Sequence, residues 1–184
     1  MLTDDSASQK LVLVTLWKAG KPLTPKEIAI KTGSRFSSSI AHLQALVKAG
    51  HVSTPKRGFY EITDHGQVRI GVNKAETRHA LAILSPVSSE KAFRFYKGMN
   101  NYLGVDATSL SDFCEKIRAI DLNSIRFHLF RKDFESWIRE ELGDPELANS
   151  IGSIRTMNLS GEPLRKRLHE TVESRCRQLE GLSP

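Results

Sequence analysis

Between residues 20 and 66, glycine and proline recur too closely for any long element to form. Gly20, Pro22, Pro25, Gly33, Gly50, Pro55, Gly58 and Gly66 cut this stretch into short pieces. The first pieces carry apolar residues at helical spacing and the last two read as strands. That order restricts the N-terminal part to a small unit of short helices closed by one hairpin.

Residues 7–19 read as a helix with Val12, Leu13, Leu16 and Trp17 inward, ended by Gly20. Thr24 stands before Pro25 and has Glu27 three residues on, which is a capping box with proline at the first helical position. This second helix runs to about Thr32, is stopped by Gly33 and turns Ile28 and Ala29 inward. Ser34-Arg35-Phe36 is read as the turn. The spacing of Ile40, Leu43, Leu46 and Val47 predicts a third helix over Ser37–Ala49, with Gly50 as its C-cap signal. Residues 51–54 and 59–63 are expected as strands, joined by the basic tip Pro55-Lys56-Arg57-Gly58.

Three runs carry a residue-level likeness: Leu23–Gly33 (LTPKEIAIKTG), Ile40–Val52 (IAHLQALVKAGHV) and Tyr60–Gly66 (YEITDHG). In order and spacing, residues 8–70 resemble the winged helix-turn-helix domain of prokaryotic, archaeal-type transcription regulators. The resemblance implies that the outer face of the third helix enters the major groove of duplex DNA. With Leu43 inward, a 100° step per residue points Ser37, Ser38, Ala41, Gln44, Ala45 and Lys48 outward or sideways, flanked by Arg35 and His42. Arg35, Lys48, Lys56 and Arg57 suit phosphate contacts. Ser37, Ser38 and Gln44 suit phosphate or base-edge hydrogen bonds, and Ala41 and Ala45 allow close approach. The face lacks the Arg or Asn best suited to bidentate base reading, so modest sequence specificity is expected.

Charge supports the same reading. The 184 residues hold 27 Lys and Arg against 21 Asp and Glu, a net +6. Residues 1–80 hold 12 cations and 6 acids, and residues 81–184 hold 15 of each. The whole excess lies in the first part, as expected for a nucleic-acid partner there. Winged helices also serve as protein-interaction modules, in transcription, replication or repair assemblies, and that is the alternative. The basic hairpin tip favours DNA.

Residues 64–84 keep approximate helical spacing at Val68, Val72, Ala75 and His79, interrupted by Gly66 and Gly71. Winged helix proteins often pair two subunits here, so a homodimer is expected, with a simple linker helix as the alternative. The Pro-Ser cluster at residues 85–89 marks the domain boundary. The expected organisation is a winged helix domain over 1–84, a linker over 85–90 and a mostly helical domain over 91–184. The fold class is mainly α with a small β wing and a short hairpin in the second domain.

In that second domain, residues 92–96 and 102–104 are expected to form the hairpin around Lys97–Asn101. About five helices follow. Ser109 opens one with Leu110, Phe113, Ile117 and Ile120 apolar, and Asn123 or Asp121 caps the next, Ser124–Arg131. Asp133 is expected to cap a third, with Phe134, Trp137, Ile138 and Leu142 inward. Asp144-Pro145 begins a fourth with Leu147, Ala148, Ile151 and Ile154. The last has a stripe of Leu164, Leu168, Val172, Cys176 (or Arg175) and Leu179. Four runs carry a second likeness: residues 92–95 (AFRF), 104–110 (GVDATSL), 124–138 (SIRFHLFRKDFESWI) and 142–148 (LGDPELA). Over residues 91–180 the chain resembles an uncharacterised helical domain family of prokaryotes. That resemblance implies no activity; joined to a DNA-binding winged helix, the domain is expected to supply dimer contacts, a protein partner or ligand sensing.

His128, Arg131 and Asp133 are its polar constellation. One reading is an anion or ligand site with Arg131 gripping a carboxylate or phosphate. The favoured reading is that Asp133 bonds His128 or Arg131 and locks the turn between two helices. No metal or cofactor is expected, because the histidines have no ligand spacing and no phosphate-binding glycine motif occurs. Cys114 and Cys176 read as small apolar fillers, and the run Arg165-Lys-Arg167 as a solvated face. No enzymatic activity is expected. The acidic start of the chain, the free cysteines and the lack of a 20-residue apolar run predict a cytoplasmic protein without a signal peptide or membrane span.

Overall fold

In the computed structural model, which describes residues 2–184 and their side chains from residue 6, the chain forms two compact units. One comprises residues up to Thr77 with Ser183 and Pro184, the other Arg78–Leu182. The architecture is mainly helical with two separate two-stranded antiparallel sheets.

The first unit begins with α1 (Leu2–Ala19). It starts earlier than the expected residue 7, because nothing before Gly20 breaks a helix. Next comes α2 (Pro25–Thr32), with both halves of the capping box formed: Thr24 Oγ1 accepts from the Glu27 amide at 3.3 Å, and the Thr24 amide donates to Glu27 Oε2 at 2.8 Å. Gly33 closes it in the left-handed region at φ 67°. α3 spans Phe36–Lys48, so the turn is shorter than expected and Phe36 opens the helix. A chain of hydroxyls pins this turn, Thr32 to Ser34 at 2.7 Å and Ser34 to Ser39 at 2.7 Å. Ser39 is thereby buried, while Val47, expected inward, is exposed. The core gathers Val12, Leu13, Leu16, Leu23, Ile28, Leu43, Leu46 and Val52. Burying each leucine side chain contributes about 1.5–3 kcal/mol.

The hairpin is β1 (Val52–Lys56) and β2 (Phe59–Ile62). Pro55 and Lys56 belong to the strand and only Arg57-Gly58 turns, with Gly58 at φ 82°. Register slips between Ser53 and Lys56, where Pro55 has no amide to donate. Leu23 and Tyr60 exchange backbone hydrogen bonds of 2.9 and 2.8 Å, which ties the segment before α2 to the hairpin. After Thr63 the expected single helix is two, α4 (Asp64–Arg69) and α5 (Lys74–Leu84), separated at Gly71 with φ 82°. The stripe Val68, Val72, Ala75 and His79 is not the buried one. Ala80 and Ile83 are buried instead, in the second unit's core. The division between units therefore falls at Thr77/Arg78, ahead of the Pro-Ser cluster.

In the second unit, β3 (Phe93–Tyr96) pairs with β4 (Tyr102–Ala107). Five helices follow: α6 (Leu110–Ile117), α7 (Leu122–Arg131), α8 (Asp133–Glu140), α9 (Pro145–Arg155) and α10 (Gly161–Gly181). Phe93, Phe95, Phe113, Phe134 and Trp137 form an aromatic cluster at the centre of the core. Asp121 caps α7 through the Asn123 amide. Asp133 does not cap α8. The connection is Lys132 alone, in the left-handed region at φ 65°, and Asp133 falls in the first turn with its carboxylate engaged elsewhere.

Candidate functional site

The capping box of α2 and the serine chain after Gly33 set how α3 leaves the core. Leu43 and Leu46 anchor its inner face, which leaves the opposite face outward. Arg35, Ser37, Ala41, Gln44, Ala45 and Lys48 are exposed there, and Ser38 and His42 are half-buried. Lys56 and Arg57 are exposed at the hairpin tip, with Lys56 Nζ 5.7 Å from the Phe59 ring centroid. No Asp or Glu occurs between Glu27 and Glu61, whereas Lys31, Arg35, Lys48, Lys56 and Arg57 all lie in that interval. Among the described residues, none of the last four forms an ion pair. Phe36 and Ile30 are also exposed, at 54% and 71%. Phe36 was read as a turn residue, so periodicity carried no signal for its position.

The hairpin is held to α3 through His51, which reads in the sequence as the start of a strand and not as a site residue. Its amide donates to Leu46 O at 2.9 Å and its carbonyl accepts from Thr63 at 3.0 Å. Gly66 packs so tightly that an added Cβ would stand 2.2 Å from that carbonyl oxygen. The His51 ring lies 4.7 Å from that of His65, and Arg69 Nη1 is 3.1 Å from His51 Nε2. Histidines that look scattered in the chain therefore meet. Burial, then the charges of Arg69 and His65, push the His51 pKa below its ordinary value. No group of three or more His, Cys, Asp or Glu able to hold a metal occurs among the described residues.

In the second unit the structure brings His128, Arg131 and Asp133 together. His128 Nδ1 lies 2.8 Å from Asp133 Oδ2, and Arg131 Nε donates to the same oxygen at 3.2 Å. His128 Nε2 accepts from the Tyr96 amide at 2.8 Å. That bond requires Nε2 to be unprotonated, so Nδ1 carries the proton and donates to Asp133. The ring is 3% exposed and packs against Phe93 and Phe134. Burial pushes its pKa down, against the opposing pull of the Asp133 hydrogen bond. The imidazole thus joins three elements, β3, α7 and the start of α8, with both nitrogens occupied. Arg131 is exposed and lies over Phe127, 5.1 Å from its centroid.

A second polar pair was not foreseen. Asp144 caps α9 through the Leu147 amide at 3.0 Å and is fully buried. Arg175 on α10 reaches it through Nε at 2.8 Å and Nη2 at 3.1 Å. Burial works against the arginine charge, but the hydrogen bonds and charges of Asp144 and Glu146 together outweigh it and raise the Arg175 pKa. The sequence left Arg175 and Cys176 as alternatives for the inner stripe. Both are used, Cys176 in the core and Arg175 at its margin. The Arg165 side chain is also not a solvated one, because its Nη1 donates to Ile117 O at 2.7 Å and closes the end of α6. Cys114 and Cys176 are free and buried, and their thiols meet between α6 and α10. The neighbouring thiol and burial push the Cys176 pKa up, so this thiol stays protonated.

The model of a family of unknown function, DUF5752, matches residues 89–183, more than half of the chain. The chain belongs to that family. The DUF5752 segment contains the His128–Asp133 cluster, the Asp144–Arg175 pair and the cysteine pair. No curated protein and no solved structure matches the chain. Among the described residues no helix is long and apolar enough to cross a membrane.

Proposed function

We propose that the chain is a duplex-DNA-binding protein acting as a transcriptional regulator, with residues up to Thr77 as a winged helix and the DUF5752 segment as its partner-binding part. The observation that carries this is the unbalanced charge of the interval from α2 to β2. The stretch between Glu27 and Glu61 holds five cations and no acid, and four of those cations, Arg35 just before α3, Lys48 at its end, and Lys56 and Arg57 at the hairpin tip, lie exposed. In this reading α3 enters the major groove, the hairpin tip is the wing beside it, and Arg35, Lys48, Lys56 and Arg57 contact phosphates. Ser37, Ser38 and Gln44 offer hydroxyls and one amide towards the groove, and Ala41 lets α3 approach. A surface of that kind binds DNA with modest base selectivity.

The protein acts as a cytoplasmic homodimer, and exposed Val68 on α4 supplies apolar surface for pairing. No catalytic role is assigned to His128, because both of its ring nitrogens are committed to the fold. A salt titration of duplex binding tests the proposal. Four phosphate contacts predict that log K falls against log salt with a slope of about −3.6. Absence of duplex binding at low salt overturns it.

A further inference from the structure

We propose that the second unit carries a docking groove for an acidic, apolar-containing peptide segment of a partner protein, between the β3–β4 turn and α7. The groove is a shallow, open depression of about 740 Å³, and none of the residues lining it is acidic. Lys97 from the turn and Arg126 and Arg131 from α7 supply three cations. Lys97 and Arg126 form no ion pair among the described residues. Between them stand Met99, Phe127 and Phe130, of which Met99 is 76% and Phe130 55% exposed. Arginine, methionine and aromatic residues together are the composition enriched in protein interfaces, and here exposed Met99 and Phe130 stand beside two cations that have no ion pair among the described residues.

The charge specifies an anionic occupant, and the ring geometry specifies its class. Arg126 lies 5.8 Å from the Phe130 centroid and Arg131 5.1 Å from the Phe127 centroid. Each ring already has a guanidinium over it, so neither offers a bare stacking platform of the kind a single-stranded nucleic acid uses. The Arg126 guanidinium, resting on the Phe130 ring, is instead held ready for in-plane, bidentate binding of a carboxylate. Asp133 already pairs with Arg131, so Arg126 and Lys97 are the groove cations left to meet an anionic occupant. The occupant is therefore a peptide that sets Asp or Glu against Arg126 and Lys97, and an aliphatic or aromatic side chain against Met99 and the edge of Phe130. This assignment does not rest on the DNA-binding proposal, which concerns the other unit.

The experiment is selection of a random dodecapeptide library on the immobilised full-length protein, followed by affinity measurement on the enriched peptides. The expected result is enrichment of sequences combining Asp and Glu with Leu, Phe or Trp. Their affinity should fall at least tenfold in Arg126→Glu and in Phe130→Ser. It should be unchanged in Lys166→Glu, an equal charge change elsewhere in this unit, and in the Lys56→Ala/Arg57→Ala protein. Failure to enrich acidic peptides, or equal loss in Arg126→Glu and Lys166→Glu, overturns the proposal. So does displacement of the peptide by a single-stranded oligothymidine that itself loses binding in Arg126→Glu, because the groove would then be a nucleic-acid site. Circular dichroism of Arg126→Glu should match the parent, since its side chain is exposed, and loss of helix signal moves the test to Lys97→Glu.

Discussion

Replacing Asp144 with alanine should cost the second unit about 4 kcal/mol. Two separable losses make up that figure. The first is the helix cap, because the Leu147 amide loses its acceptor, at about 1 kcal/mol. The second is the partner of Arg175, whose side chain is only 10% exposed beside a fully buried carboxylate. Removing one member of a buried ion pair costs about 3–5 kcal/mol. The low end applies here, because Arg175 keeps Glu146 at 2.7 Å and Gln178 at 2.9 Å. Urea unfolding of a Trp17→Phe protein, followed by fluorescence, reports the second unit through Trp137, which lies in its core. With a urea dependence of roughly 2 kcal/mol per molar, the midpoint should drop by about 2 M. Arg175→Met should also destabilise, since it strands a buried carboxylate. The double variant should lose less than the sum, because removing both charges leaves neither uncompensated. A shift under about 0.5 M for Asp144→Ala would refute the reasoning, since the cap alone then accounts for everything.

The remaining expectations concern both units. The Lys56→Ala/Arg57→Ala protein should bind all duplexes more weakly and to about the same degree, with the salt slope smaller by about two in fluorescence anisotropy. Gln44→Ala should leave that slope unchanged and shift base preference by about 1–3 kcal/mol in a selection of bound sequences. His128 has its pKa held below the ordinary 6.5, first by burial and against the Asp133 hydrogen bond, so the unfolded chain takes up its proton more readily. The stability of the second unit should be full above about pH 6.5 and decline as pH falls through the depressed folded value, and His128→Gln should flatten that decline in urea midpoints. Gly66→Ala must displace the His51 carbonyl or α4, so it should destabilise the first unit by about 1–3 kcal/mol, read as faster amide exchange in α3 and β1.

Much of the fold is legible because its signals are local. The Thr24/Glu27 box, the Asp144-Pro145 start and the alternating Phe93 and Phe95 each act within a few residues, and each forms where expected. Helical stripes such as Leu164, Leu168, Val172 and Leu179 are equally local and are buried as read. The outward set on α3 follows from one inward residue and the helical step. Misreadings occur where two local signals compete. Val68, Val72, Ala75 and His79 gave a plausible stripe, but the turn at Gly71 breaks its phase and Ala80 and Ile83 face the core instead.

What the sequence determines by itself here is the order of elements, most of the inward residues and the concentration of positive charge in the first part. These follow from spacing, caps and composition, which need no knowledge of what lies across the fold. The tertiary structure decides which distant side chains meet. Asp144 and Arg175 are 31 residues apart, His128 and Tyr96 are 32, and Arg165 and Ile117 are 48. Their polar groups are satisfied across helices and strands, where burial strengthens each bond and penalises each orphan. No periodicity encodes such a partner. The same holds for the groove beside α7, since Lys97 and Met99 belong to a hairpin turn and Arg126 and Phe130 to a helix, and only packing lays one against the other.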